Sequence, residues 1–263
     1  MRDTNRRRPG PVLAAIFVGA AAVAFAFYCK PMPAMEDKAL LFSDSSVRVE
    51  PHSVGFVFLP VVSEGRMAKS SGLVFYGAAR VPPEAYAYLA RACATAGYTA
   101  VLASAPLNFA VFAPDMAAKV ASACPSVTRW VISGHSLGGV VAASFVARNA
   151  KETEGKEVAV AGLFLLAASP DRRVDLSTKS LPVVTVGATH DTFSPPAKIA
   201  EGRDRLPAGS RYVEIAGGNH AQFGEYGPES GDGFAEIPGP TQRKATVEEV
   251  LALLDRAESG AGK

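Results

Sequence analysis

The sequence predicts an α/β fold, with a mostly parallel central sheet, antiparallel strands at its N-terminal side and helices on both faces. Three observations carry that expectation. Runs of β-branched and aromatic residues follow one another before about residue 80, and beyond it apolar runs of strand length alternate with segments of helical period. The 263 residues are also enough to bury the core of one domain of ordinary size.

SVRVE at 46 to 50 and VGFVFLPVV at 54 to 62 have strand composition. SEGRMAKS then forms a polar turn, and SGLVFYGA at 71 to 78 is a third strand, apolar enough to be buried on both faces. Pro82 and Pro83 open a helix to about Ala96, closed by Gly97. TAVLAS at 99 to 104 is a strand, FAPDMAAKVASAC at 112 to 124 a helix and RWVISG at 129 to 134 a strand. A helix from Ser136 to Ala150 spaces Leu137, Val140, Val141 and Phe145 along one face. Strands follow at 160 to 168, 182 to 188 and 212 to 218. A last helix starts at Thr246, with Glu249 completing a capping box and Val247, Val250, Leu251 and Leu254 turned to the core.

Residues 1–30 read separately. From Val12 to Tyr28 no charge or strong polar group interrupts the chain, and Arg6, Arg7 and Arg8 precede it. That pattern predicts a membrane anchor or a cleaved signal peptide, with Ala24-Phe25-Ala26 as the cleavage site. Either would place the rest of the protein outside the cytoplasm, anchored or secreted, with the membrane as partner through this segment. A buried core helix fits less well, because the segment has no polar face. Tyr28 before Cys29 is unlike a lipoprotein site, and the arginines lack a twin-arginine context. Residues 31–38 form a linker, 39–258 the α/β domain and 259–263 a flexible tail.

The net charge of +2 is deceptive, since Arg2, Arg6, Arg7 and Arg8 less Asp3 place +3 in the first ten residues and leave −1 for the rest. No basic face remains for nucleic acid. Histidines are scattered and cysteines unpaired in sequence, so no metal site and no cofactor is expected.

The chemistry centres on VISGHSLGG at 131 to 139. A strand enters Ser136 and a helix leaves it, the context in which G-x-S-x-G makes a nucleophile elbow. Gly134 and Gly138 suit a turn where neighbouring backbone passes close. The amide of Leu137, at a helix start, is a free donor for negative charge. Serine needs a base and the base an orienting acid. PVVTVGA leads into THD, ending at Asp191, and YVEIAGG leads into NH, ending at His220. All three residues follow strand C-termini, where open α/β sheets place their sites. Asp171, after the preceding strand, is the competing acid. His135 reads as a neighbour that packs or hydrogen-bonds beside the site, and His52 and His190 fall outside the required order.

The motifs LVFYGAARVPPEAYAYLARACATAGY, APLNFAVF, WVISGHSLGG, GATHD and GGNHAQFGEYG, taken in order from about Ala39 to Leu254, resemble the alpha/beta-hydrolase superfamily. Within it they are closest in kind to the small lidless fold-5 family akin to dienelactone hydrolase. The resemblance implies an alpha/beta-hydrolase fold with no cap domain, and Ser136 as nucleophile, Asp191 as acid and His220 as base. It also places the second oxyanion donor in the FYGAARV loop, at Gly77 or Ala78, where the family usually has proline then glycine. The activity it implies is serine esterase chemistry on a small-molecule ester or thioester. Acyl transfer by the same triad, and a binding protein that has kept only the fold, are the alternatives.

Two further expectations concern shape. About thirteen residues, SPDRRVDLSTKSL, join the strand ending at Ala168 to the one starting at Pro182, too few for a cap helix pair, so the site should be open. Right-handed crossovers should put the helices carrying Cys93 and Cys124 on opposite faces of the sheet, which leaves both as buried thiols.

Overall fold

In a computed structural model of the chain, the described residues are 19, 29–33, 38–63, 65, 67–152 and 158–260. Among these residues, eight strands form one sheet in the order β1-β2-β4-β3-β5-β6-β7-β8. They are β1 (Val47–His52), β2 (Gly55–Pro60), β3 (Ser71–Tyr76), β4 (Thr99–Ala103), β5 (Arg129–His135), β6 (Val160–Leu166), β7 (Val183–Ala188) and β8 (Arg211–Ile215). β2 runs antiparallel to β1 and to β4, and every pairing from β4 through β8 is parallel. The fold is therefore the mostly parallel α/β sheet with antiparallel N-terminal strands that the sequence predicts.

The α-helices are α1 (Ala87–Thr95), α2 (Met116–Ala123), α3 (Leu137–Glu152), α4 (Pro196–Ala200) and α5 (Gly239–Ser259). Alternation along each strand divides the core between the two faces of the sheet. Leu73 and Phe75 of β3 pack with Leu89 and Cys93 of α1 and Leu253 and Leu254 of α5. Val74 and Tyr76 of the same strand pack with Val120 of α2 and Val141, Phe145 and Val146 of α3. Every residue of β3, β4 and β7 is buried, as expected of parallel strands covered on both sides.

Cys93 belongs to the first core and Cys124 to the second, so the sheet lies between them as the crossovers require. Burial pushes the Cys93 thiol up to about 12, which makes it a poor nucleophile. Between β6 and β7, residues 167–182 contain no helix, so no cap covers the C-terminal edge of the sheet.

Three expectations need correction. The helix read as 112–124 begins at Met116, because Pro114 and Asp115 interrupt it and Ala110–Phe112 forms a separate 3₁₀ turn. The last helix begins at Gly239 and not at Thr246; Pro240 occupies its first turn, where a missing N–H costs nothing. Thr246 is buried mid-helix and donates its hydroxyl back to the Gln242 carbonyl at 3.0 Å, so it caps nothing.

The third correction concerns the membrane-spanning or signal helix over 12–28. Among the described residues no helix is long and apolar enough to cross a membrane. The longest, α5, has 21 residues but carries Arg243, Lys244, Glu248, Glu249, Asp255 and Arg256. Of the 12–28 segment itself only Gly19 lies within the described residues. The transmembrane helix, the signal peptide and the membrane partner expected from residues 1–30 therefore have no support among the described residues.

Candidate active site

Ser136 sits where β5 ends and α3 begins, with a left-handed backbone at φ +53°. A non-glycine residue adopts that conformation at a cost on the order of 1–3 kcal/mol, so the surroundings must impose it. They do so from both sides. The Ser136 N–H donates to the Leu166 carbonyl of β6 at 2.8 Å, and its own carbonyl accepts from Gly139 at 3.0 Å and Val140 at 3.2 Å as α3 starts. The Ser136 hydroxyl makes no hydrogen bond among the described residues, and the side chain remains partly exposed at the uncapped edge.

The structure brings the predicted acid and base together. His220 Nδ1 lies 2.7 Å from Asp191 Oδ2, and both side chains are buried. Asp191 Oδ1 accepts the N–H groups of Phe193 at 2.9 Å and Ser194 at 2.7 Å. Its carboxylate thus divides its contacts, with one oxygen for the turn and one for the imidazole. The side chain next to the elbow closes the set, since the His135 ring packs against that of His220 with centroids 4.5 Å apart. Phe193 meets the His220 ring edge-on at 5.3 Å.

The competing residues lie elsewhere. Asp171 is exposed and accepts the Arg173 N–H of its own turn at 3.0 Å. His52 is exposed beside Ser53, and His190 Nδ1 is bound to the Phe234 carbonyl at 2.6 Å. Among the described residues no cluster of His, Cys, Asp and Glu suits a metal ion.

For the oxyanion, Leu137 opens α3, so its N–H has no partner within the helix. The loop after β3 is arranged differently from expectation. The Ala78 N–H donates to the Tyr86 hydroxyl at 3.1 Å in a buried contact, which takes it away from any substrate. Among the described residues the N–H groups of Gly77 and Ala79 on either side make no such bond to a side chain. Ala79 is a candidate donor that the sequence alone did not suggest. Arg80, left-handed at φ +66°, ends this loop, with its N–H on the Asn108 carbonyl at 2.8 Å and its carbonyl accepting from Met32 at 2.9 Å.

Residues 72–244 match the sequence pattern described as the alpha/beta hydrolase family, which is well over half of the chain. The chain belongs to the alpha/beta hydrolase family. Solved structures share the fold at low identity. A putative hydrolase from Agrobacterium vitis S4 is 12% identical, with a TM-score of 0.57 over 79% of this chain and 99% of that one. Esterase 2 of Thermogutta terrifontis, solved phosphoramylated by tabun, is 13% identical, with a TM-score of 0.54 over 81% and 95%. An alpha-beta serine hydrolase homologue from Coxiella burnetii is 14% identical, with a TM-score of 0.51 over 79% and 98%. No curated protein is similar in sequence.

In this member of the family, two side chains outside the motifs hold the His220 loop, Gln242 buried and Asp232 partly buried. Gln242, on the first turns of α5, accepts from the Asn219 N–H at 3.0 Å and donates to the Asn219 carbonyl at 2.7 Å. Asp232 accepts the Ala221 N–H at 2.9 Å. A helix starting at Thr246 places Gln242 in a loop, so the sequence gives no sign of its role. The elbow itself is a packing constraint, because a Cβ on Gly138 would lie 2.2 Å from the Tyr76 carbonyl oxygen and 2.4 Å from that of Gly77. Gly138→Ala is therefore expected to lose about 2–3 kcal/mol of stability, read as a lower urea midpoint, because only backbone movement can relieve the clash. An unchanged midpoint would contradict this packing.

Proposed function

We propose that this protein is a serine hydrolase that cleaves a carboxylic ester or thioester through a covalent acyl-enzyme. Ser136 is the nucleophile, His220 the general base and Asp191 its orienting acid. The observation that carries the reading is the buried 2.7 Å contact between His220 and Asp191, on the same sheet edge as a serine forced into a left-handed corner. Membership of a hydrolase family supports it independently.

As the Ser136 hydroxyl attacks the ester carbonyl, His220 Nε2 takes its proton, and the resulting imidazolium is stabilised through Nδ1–H by Asp191. The oxyanion is held by the N–H of Leu137 together with Gly77 or Ala79. Collapse expels the alcohol or thiol, which takes the proton from His220. Water, deprotonated by the same imidazole, then cleaves the acyl-enzyme. With no helix in residues 167–182, the site suits small or exposed acyl groups. Phe193 beside His220 and the exposed Leu107 and Phe112 of the β4 loop offer apolar surface for them.

A fluorophosphonate probe tests the nucleophile directly. Peptide mapping should find the adduct on Ser136, and Ser136→Ala should take up none. A folded protein that stays unlabelled, or carries the label elsewhere, would remove the basis of this function.

A further inference from the structure

Tyr86 and His135 are buried titratable residues that the mechanism above leaves unused, and they join its two halves. The Tyr86 hydroxyl accepts the Ala78 N–H at 3.1 Å and lies 2.9 Å from His135 Nδ1. Among the described residues His135 Nε2 has no hydrogen-bond partner. Hydrogen-bond accounting fixes the protons. If the phenol donates to Nδ1, His135 is the Nε2–H tautomer and one buried N–H is left over. If Nδ1–H donated instead, the phenol proton and the bare Nε2 would both be stranded. The first arrangement wastes less.

We propose that Tyr86 and His135 form a positioning pair: the phenol holds the Ala78 amide out of the oxyanion hole and locks His135 as a neutral imidazole whose ring backs His220. The proposal rests on the serine-hydrolase reading and deepens it, because neither residue touches substrate. The hole is then built from Leu137 with Gly77 or Ala79. The face of His220 rests on a ring that carries no charge when His220 becomes cationic during turnover. Around His135 the groups are Tyr86 on one side, His220 on the other with Asp191 beyond it, and the apolar Phe223 ring at 5.5 Å. Burial first, and the neighbouring His220 second, hold the basicity of His135 well below that of an ordinary histidine. Burial likewise raises Tyr86, so it remains a phenol.

The test has two arms. Nitrogen-15 spectra of the wild-type protein should show His135 as a neutral Nε2–H imidazole that does not titrate where ordinary histidines do. A protonated His135, or the Nδ1–H tautomer, would overturn the proposal whatever the enzyme's activity. In the second arm, Tyr86→Phe keeps the ring and deletes only the hydroxyl. It should lower kcat by about 10- to 100-fold with little change in KM, the scale expected of misplaced catalytic groups. His135→Asn retains an acceptor near the Nδ1 position and should hold the Ala78 loop better than His135→Gln, and Tyr86→Phe combined with His135→Gln should lose less than the product of the single losses. Wild-type kcat in Tyr86→Phe, or strictly multiplicative losses, would refute the pairing. If Ser136→Ala kept full activity, the hydrolase reading would fail on its own, and the spectra would still report on the pair.

Discussion

Ester turnover by Ser136→Ala is expected to fall on the order of 10⁵- to 10⁶-fold while the fold survives intact. The size of the loss follows from the way a nucleophile and its base act as a unit, so that deleting the serine removes nearly all of what they supply together. Survival of the fold follows from the backbone. Ser136 is held by its N–H on Leu166 and by its carbonyl at the start of α3, neither of which uses the hydroxyl. Alanine does inherit the left-handed corner at φ +53°, so a small loss of stability belongs to the prediction. Steady-state turnover of an activated acetate ester, with urea unfolding alongside, separates the two effects. Retention of more than about one part in a thousand of the activity, above the residual rate left to oxyanion binding, would point to a different nucleophile.

How much of this was legible in the sequence depended on the kind of interaction involved. The central strands are legible because a strand buried on both faces must be an apolar run, and the more exposed β1, β2 and β8 because β-branched and aromatic residues mark them; both signals are local. The elbow was found because its constraints are also local, with small residues on either side of a serine between a strand and a helix. Asp191 and His220 needed one further step, since each had only to follow a strand whose C-terminus reaches the same edge. The choice between Asp191 and Asp171 was harder, because both follow strands. Chain order does not separate them, since both precede His220; the resemblance through GATHD favours Asp191, and the structure joins His220 to Asp191 while Asp171 accepts from its own turn.

What failed was what depends on distant partners. Whether the Ala78 amide is free is decided by a hydroxyl eight residues away, bound in turn to a histidine on β5, and no local pattern encodes that. α5 starts seven residues before Thr246, which with Glu249 only imitates a capping box. Buried threonine in mid-helix bonds back to its own helix, and the sequence alone does not reveal burial. Pro240 was the local signal that would have placed the start correctly.

Asp191→Asn should lower kcat by about 10⁴-fold, and the hydrogen bonds around the carboxylate say why. Oδ1 accepts two backbone N–H groups, from Phe193 and Ser194. An asparagine must keep its carbonyl oxygen there, because turning its NH₂ toward those donors would strand both. The NH₂ is then left facing His220 across the former 2.7 Å contact, so His220 Nδ1 has to become an acceptor. That moves the imidazole proton to Nε2, the nitrogen that must be bare to receive the serine proton. Because the amide preserves the turn, the variant should unfold within about 1 kcal/mol of the parent, and the loss should appear in kcat rather than in stability. Asp171→Asn, made beside it, should leave turnover unchanged. If the two variants behaved alike, His220 would have to draw its orientation from somewhere other than Asp191, with the His135 and Phe193 rings as the remaining supports.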